Sequence, residues 1–312
     1  MDEVEVDRRM SATLMEAASH RVGTMRFGRH PIPGQGRVAD AIGILAGWIG
    51  GGQGVASPWP GVQFEADLND RIQRQMWAGV YEPHVRACFD VLLQPGDVYL
   101  DVGAHVGFHA VFAAHRVGPE GYVFAFEADP HIYNRLSRNL SQFRWAQAVN
   151  AAVWDRTGSL AFERSFNKQE SGWGIVSAVR DWGLGEHADV PAVALDDCSR
   201  DSNLTRCNAM KLDAEGSEFA VLRGAQSLLE KFRPFLIMEI NTILFEQGGI
   251  SPADVADFFQ ERRYRIFRLE FRRLEPWDPA RHKDFCDALC LPGDRSTEML
   301  GRLAKAGFEQ AR

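Results

Sequence analysis

Cysteine is scarce and has no pairing pattern: five residues in 312, at Cys88, Cys198, Cys207, Cys286 and Cys290, with no CxxC among them. Such spacing supplies neither a zinc site nor a disulfide framework and reads as reduced thiols. An excess of basic charge is also missing. The 35 lysines and arginines are outnumbered by 42 acidic residues, for a net charge of −7, so no overall field draws the chain to nucleic acid or to anionic lipid. Long apolar runs are absent as well. "AIGILAGWIGGGQGV" breaks off well short of the roughly 20 residues that cross a bilayer, and the acidic start "MDEVEVDRRM" lacks the basic-then-apolar order of a secretory signal. A soluble, cytoplasmic protein with neither nucleic acid nor membrane as partner is expected. What is plentiful is core material: 45% of residues are hydrophobic and 11% aromatic, enough for one sizeable domain.

Residues 1–62 mix helix-like text with glycine and proline ("RHPIPGQGR", "GGGQGVASPWPG") and are expected to form a partly helical extension, a lid or a dimer arm. Residues 63–312 carry the main domain. "LNDRIQRQMWAGVYEPHVRACFDVLL" has helical periodicity over one or two helices. From "VYLDV" onward short apolar runs alternate with helical ones: "YVFAFE", "AQAVNAAV", "AFERSF", "NAMKL", "FLIMEIN", "YRIFRLEF" and "CDALCLP" read as strands. Asp129 before Pro130, and Ser251 before Pro252, are helix starts. Alternating strands and helices predict an α/β fold with a mostly parallel sheet covered on both faces.

Ligands of such sheets bind beyond the carboxyl ends of the strands, near the point where strand order reverses. "VYLDVGAHVGFHA" puts Asp101, Gly103 and Gly107 there. The turn is D-x-G-x-x-x-G, not the GxGxxG that lets a pyrophosphate approach backbone amides, and it carries a carboxylate. A negative group suits a ligand with ammonium and sulfonium charges better than a dinucleotide. Glu127 ends the next strand, where a carboxylate can accept both hydroxyls of a ribose. Taken singly, Asp101 reads equally as a helix cap and Glu127 as a solvated strand end; together, in strand context, they indicate a nucleoside ligand such as S-adenosylmethionine.

"KLDAEGSEFAVLRGA" repeats the design, with Lys211, Asp213, Glu215 and Glu218 around Gly216. Four charged residues flanking a buried strand need a cleft, a cation or one another. "LIMEIN" places Glu239 and Asn241 at the end of the expected neighbouring strand.

"YLDVGAHVGFHA", "FAFEADP" and "KLDAEGSEFAVLRGA…MEIN", in this order, resemble the FkbM family of S-adenosylmethionine-dependent methyltransferases, over roughly residues 63–245. The D-x-E-G-x-E block is the most specific part. The resemblance implies a Rossmann-like class I methyltransferase fold with a seven-stranded sheet, transferring methyl to a hydroxyl oxygen of a sugar-containing or polyketide-like small molecule. On the matching positions Asp101, Gly103 and Gly107 would line the methionine end of the donor and Glu127 its ribose. Ala104, Ala128 and Ala152 complete the expected donor lining. Where the family's turn has Asn, this chain has His105.

A hydroxyl acceptor needs its proton removed, by a side-chain base or with help from a divalent cation. Asp213 is the first candidate, as base or, with Glu239 and Asn241, as a ligand of magnesium, an arrangement similar to that of magnesium-dependent catechol O-methyltransferases. A metal-free acidic network is the alternative. His105 and His109 are rival bases, and His84 in "YEPH" lies near the core's entry. Glu215, Glu218 and Trp173 are the candidate acceptor contacts. Competing readings on the same fold class are a nicotinamide oxidoreductase, an RNA methyltransferase and a non-catalytic binding protein. Homo-oligomerisation is open.

Overall fold

The computed structural model describes residues 26–27, 30–31, 35–165, 174–176 and 185–311. Helix α1 (Gln35–Ile49) leads into an antiparallel ribbon, β1 (Gln53–Trp59) and β2 (Val62–Asp67). The ribbon straddles residue 62. The helical text that follows resolves into two helices, α2 (Arg71–Trp77) and α3 (Pro83–Leu92). Asp70 caps α2 by accepting the Gln73 amide at 2.8 Å.

Then come β3 (Val98–Val102), α4 (Phe108–Val117), β4 (Tyr122–Glu127), α5 (Pro130–Leu140) and β5 (Ala146–Asn150). A small second sheet is built from β6 (Ala152–Val153), β7 (Gly158–Ser165), β8 (Gly174–Val176) and β9 (Gly185–Val193), and helix α6 (Leu195–Asp201) follows it. The main sheet resumes with β10 (Ala209–Leu212), then α7 (Glu218–Arg223), α8 (Gln226–Phe232), β11 (Phe235–Asn241), α9 (Thr242–Gln247) and α10 (Pro252–Glu261). Strands β12 (Tyr264–Glu270), β13 (Arg273–Pro276) and β14 (Phe285–Pro292), helix α11 (Ser296–Lys305) and β15 (Glu309–Gln310) close the chain.

The main sheet runs β15-β13-β12-β14-β11-β10-β3-β4-β5. Strands β3, β4, β5, β10 and β11 are mutually parallel, and β14 lies antiparallel between β11 and β12. Seven of these strands are those expected; the short β13 and β15 extend the edge and make the sheet nine-stranded. The order reverses between β3 and β10, which opens a cleft at their carboxyl ends.

Period-two alternation divides the strands between two cores. Tyr99, Phe235 and Ile237 face a layer with α3, α4 and α11, while Leu100, Val102, Leu236 and Met238 face α7, α8 and α10. Helix α4 departs from the one-faced amphipathic expectation: all of its residues but His115 and Arg116 are buried. The ribbon is the reason, because it covers the outer side of α4, with Trp59 against Phe112 at 5.3 Å and Phe64 against Phe108 at 5.7 Å between ring centroids. "AQAVNAAV" is likewise two strands. The chain leaves the main sheet at Asn150, crosses Ala151, and enters the small sheet at Ala152. Among the described residues no helix is long and apolar enough to cross a membrane.

Candidate active site

A cleft of about 360 Å³ lies over the carboxyl ends of β3, β4, β10 and β11. Gly103, at φ +75°, forms its floor. A Cβ there would lie 1.7 Å from the carbonyl oxygen of Asp213, so only glycine lets the first turn and the end of β10 meet. Gly107, at φ +91°, starts α4, where a Cβ would lie 2.7 Å from Leu136 Cδ1. His105 also takes a left-handed backbone, φ 51°, and its amide donates to Glu127 Oε2 at 2.9 Å. The Asp129 amide donates to the other oxygen, Oε1, at 2.8 Å. Two backbone donors thus fix the Glu127 carboxyl at the cleft wall. Burial pushes this carboxyl up to about 7, against the pull of the amide bonds.

The second turn is built the same way. Glu215 (φ 50°) and Gly216 (φ 91°) reverse the chain after β10, and Glu218 Oε1 accepts the amides of Ala214 and Gly216 at 2.7 and 3.3 Å. Beneath the floor lies a buried chain of charges. Lys211 Nζ donates to Asp213 Oδ2 at 2.6 Å and lies 3.6 Å from Glu82 Oε2, while His109 Nε2 meets that same Glu82 oxygen at 2.8 Å. Burial acts to lower the Lys211 pKa, but Asp213, Glu82 and Asp101 overcome it and hold the ammonium well above its usual range. Burial likewise raises Glu82, but the Lys211 charge and the His109 contact outweigh it and hold that carboxyl well below its usual range.

Gly103, His105, Glu127, Ala128, Ala152, Asp213, Glu215, Glu239 and Asn241 all line the cleft. Other candidates do not reach it. Asp101 is 1% exposed and sits opposite Lys211 in the β3–β10 pairing, so it acts from behind the wall instead of touching a donor; burial raises its pKa while Lys211 works against that. It is no helix cap either, since Gly107 holds that position. His109 is buried among Phe89, Phe108 and Tyr81 with one nitrogen on Glu82, which makes it an internal partner and not a base facing the acceptor. Glu218 is fully buried, bound to its own turn. Ala104, which is buried, and Gly107, which caps α4, are not part of the cleft lining. Trp173 lies outside the described residues. His84 is committed to Asp287, Nε2 to Oδ2 at 2.6 Å; burial lowers its pKa, and that contact more than restores it.

The magnesium reading of Asp213, Glu239 and Asn241 finds no support. Lys211 already occupies Asp213 Oδ2, and Asn241 Oδ1 caps α9 by accepting the Leu244 amide at 3.3 Å. Among the described residues no group of three or more His, Cys, Asp and Glu is arranged to hold a metal ion.

The structure adds residues that periodicity had hidden. Tyr81 and Glu82, between α2 and α3, reach into the cleft; Glu82 does so from a left-handed backbone, φ 37°. Asp129, read from sequence as a helix cap, does cap α5 at the His131 amide and also binds Arg164 of β7, Oδ1 to Nη2 at 2.6 Å. The one sequence signal for Glu82 was a carboxylate in "YEPH" just before a proline-opened helix.

Residues 101–266 match the Methyltransferase FkbM domain. The chain belongs to this methyltransferase family, and the nine-stranded α/β sheet with its cleft at the reversal of strand order is the Rossmann-like class I form of it. It is similar to the hexuronic acid methyltransferase AglP of Haloferax volcanii, 26% identical over 168 residues that make up 54% of this chain and 63% of that protein. It is also similar to the methyltransferase sdnD of Sordaria araneosa, 24% identical over 214 residues, covering 58% of this chain and 79% of that one. The crystal structure of a methyltransferase FkbM from Methylobacillus flagellatus KT superposes with a TM-score of 0.41 and 14% identity, over 70% of this chain and 54% of that one. The chain thus spans less than two thirds of the length of AglP that it resembles.

Proposed function

We propose that this protein is an S-adenosylmethionine-dependent O-methyltransferase acting on a hydroxyl of a sugar-containing or polyketide-like small molecule. The observation that carries this reading is Asp213: it stands on the cleft wall at the end of β10, tied to Lys211 at 2.6 Å and touching the glycine turn of β3. The donor fits the residues present. Glu127, steadied by two amides, has lone pairs left for a ribose diol, and Gly103 lines the same cleft, where its turn would border the methionine arm. The acidic wall suits a sulfonium and repels a dinucleotide's pyrophosphate. It also opposes an RNA acceptor. The names of AglP and sdnD, a hexuronic acid methyltransferase and a methyltransferase, are consistent with the family chemistry.

S-adenosylmethionine, when bound, supplies a methyl group already activated on sulfur. The protein's part is to orient the acceptor hydroxyl, which in well-oriented systems contributes up to about 7–11 kcal/mol, and to take its proton. Asp213 Oδ1, the oxygen turned away from Lys211, accepts that proton, a role that contributes about 10²–10⁴-fold. Lys211 holds the carboxylate in place. Calorimetric titration with S-adenosylmethionine tests the donor assignment: saturable binding is expected, and its absence overturns it. NMR of the product from a panel of hydroxylated acceptors tests the rest, with the methyl expected on oxygen. Methyl found on nitrogen or carbon overturns O-transfer.

A further inference from the structure

The ionisable side chains of the cleft wall are six carboxyls, Glu82, Glu127, Asp129, Asp213, Glu215 and Glu239, together with Tyr81 and His105; no lysine or arginine lines the cleft among the described residues. Four of the six are accounted for inside the protein. Glu82 has Lys211 and His109, Asp213 has Lys211, Asp129 has Arg164, and Glu127 has two backbone amides. Glu215 and Glu239 are different: among the described residues neither makes a hydrogen bond or an ion pair. Ser217, beside them on the wall, is 2% exposed, and its Oγ has no hydrogen-bond partner among the described residues. Buried polar groups in folded proteins are normally satisfied. Ser217 is therefore left for something that enters the cleft, and the half-buried Glu215 and Glu239 stand beside it with no protein partner among the described residues.

Their position says which ligand it is. Glu127 ends β4 and Glu239 stands near the end of β11, three strand spacings away in the order β4-β3-β10-β11, or about 14 Å. A donor anchored at Glu127 would extend along the ends of β3 and β10, the strands between Glu127 and Glu239. Glu239 belongs to the far side, where Asn241 and the ring of Phe285, 55% exposed, form the rim. Resting on the methyltransferase reading above, we infer that the acceptor is a hydroxylated small molecule carrying a protonated amine, held between Glu239, Glu215 and Ser217. An ammonium matches two unpartnered carboxyls and an open hydroxyl, and an aromatic rim suits a cation. A carboxylated acceptor such as a hexuronic acid would instead bring a further negative charge to a wall with no cation of its own.

The protonation of the cleft wall points the same way. Burial first, and then Asp213 and the neighbouring glutamates, push Glu215 up to about 9 and Glu239 up to about 11. Asp287, directly opposite Glu239 across the β11–β14 pair, adds to this and is itself matched by His84. A cation on the ligand takes over the role of the protons that these carboxyls otherwise hold.

The test uses the full chain saturated with S-adenosylhomocysteine, in amine-free buffer of low ionic strength. It is titrated calorimetrically with methyl glucosaminide, methyl glucoside and methyl glucuronide. The glucosaminide is expected to bind at least about tenfold more tightly than the glucoside, and the glucuronide more weakly than either. In the Glu215→Gln/Glu239→Gln double variant, whose side chains keep size and polarity, the gap between the first two should close to within about threefold. Equal binding of amine and neutral sugars overturns the inference. So does tighter binding of the glucuronide, an amine preference that survives in the double variant, or no glucosaminide binding by a protein that does bind S-adenosylhomocysteine. Failure to bind S-adenosylhomocysteine overturns the methyl-donor reading itself.

Discussion

Replacing Gly103 with alanine tests how tightly the two turns are locked together. An L-residue at φ +75° costs about 1–2 kcal/mol in backbone strain. The new Cβ would also lie 1.7 Å from the Asp213 carbonyl oxygen, which is backbone at a strand end and cannot swing aside like a side chain. Forcing such an overlap adds about 1–3 kcal/mol, for a total of about 2–5 kcal/mol. At about 2–4 °C per kcal/mol for domains of this general size, melting should fall by about 4–20 °C. Gly61→Ala is the control: its φ is +76° and a Cβ there meets nothing within 4 Å, so it should lose the strain component alone, about 1–2 kcal/mol. Differential scanning fluorimetry on both variants, with denaturant midpoints as a second measure, separates strain from collision. Calorimetry on Gly103→Ala should also show donor affinity reduced by about tenfold or more, because the glycine turn that lines the cleft is displaced. Equal losses in the two variants, or undiminished donor binding by Gly103→Ala, would refute the reasoning.

Other expectations concern charge. Lys211→Met removes the cation between Asp213, Glu82 and Asp101 and should cost about 3–5 kcal/mol at pH 7.5, less at pH 5 where carboxyls can protonate; urea midpoints at the two pH values check this, and a pH-independent loss contradicts it. Glu239, raised from its ordinary 4.5 to about 11 in the folded protein, leaves the native state holding more protons than the unfolded chain between those values, so its contribution makes stability fall as pH rises. Glu239→Gln should therefore flatten the pH dependence and gain roughly 1–3 kcal/mol at pH 8, measured by denaturant titration; a variant less stable than the parent at pH 8 counts against it. Glu127→Gln cannot accept both the His105 and Asp129 amides, since one of its two atoms is a donor, and should weaken S-adenosylmethionine binding by about tenfold in calorimetry. Asp213→Asn should keep donor affinity within about threefold and lose about 10²–10⁴ in turnover; normal turnover excludes Asp213 as the proton acceptor.

The strand ends were legible in the sequence because each joins an apolar run of period two or continuous burial to a carboxylate at its end, with glycine just beyond at Asp101 and Asp213. Asp101, Glu127, Asp213 and Glu239 all follow that grammar. What the grammar cannot say is which way a strand-end side chain turns. Asp101 and Asp213 stand at similar places on adjacent strands, yet one is 1% exposed behind the wall and the other lines the cleft. The difference is set by pairing register and by the turn that follows each strand, and neither is written in the local text. Glu82 was hidden for another reason: it contacts Lys211 and His109 across long stretches of chain, and it lies in a short link between helices where periodicity has nothing to measure. The division at Ala151 was unreadable because "AQAVNAAV" has uniform strand character on both sides of the crossing.

That crossing has a further consequence. One residue is too short to act as a hinge, so Ala151 and Ala152, which line the cleft, move together with both sheets. Ala152 and Val153 are clamped by parallel pairing to Ala192 and Val193, and the Trp154 amide donates to the Val193 carbonyl at 2.9 Å. The small sheet is thus a bracket fastened to the rim of the active site, and Arg164 of β7 fastens it a second time, at Asp129 beside Glu127. Its Ala152, Val153 and Phe162 form part of the cleft wall. For engineering, Phe162 is the bracket position from which that wall can be reshaped without altering the glycine turn at Gly103.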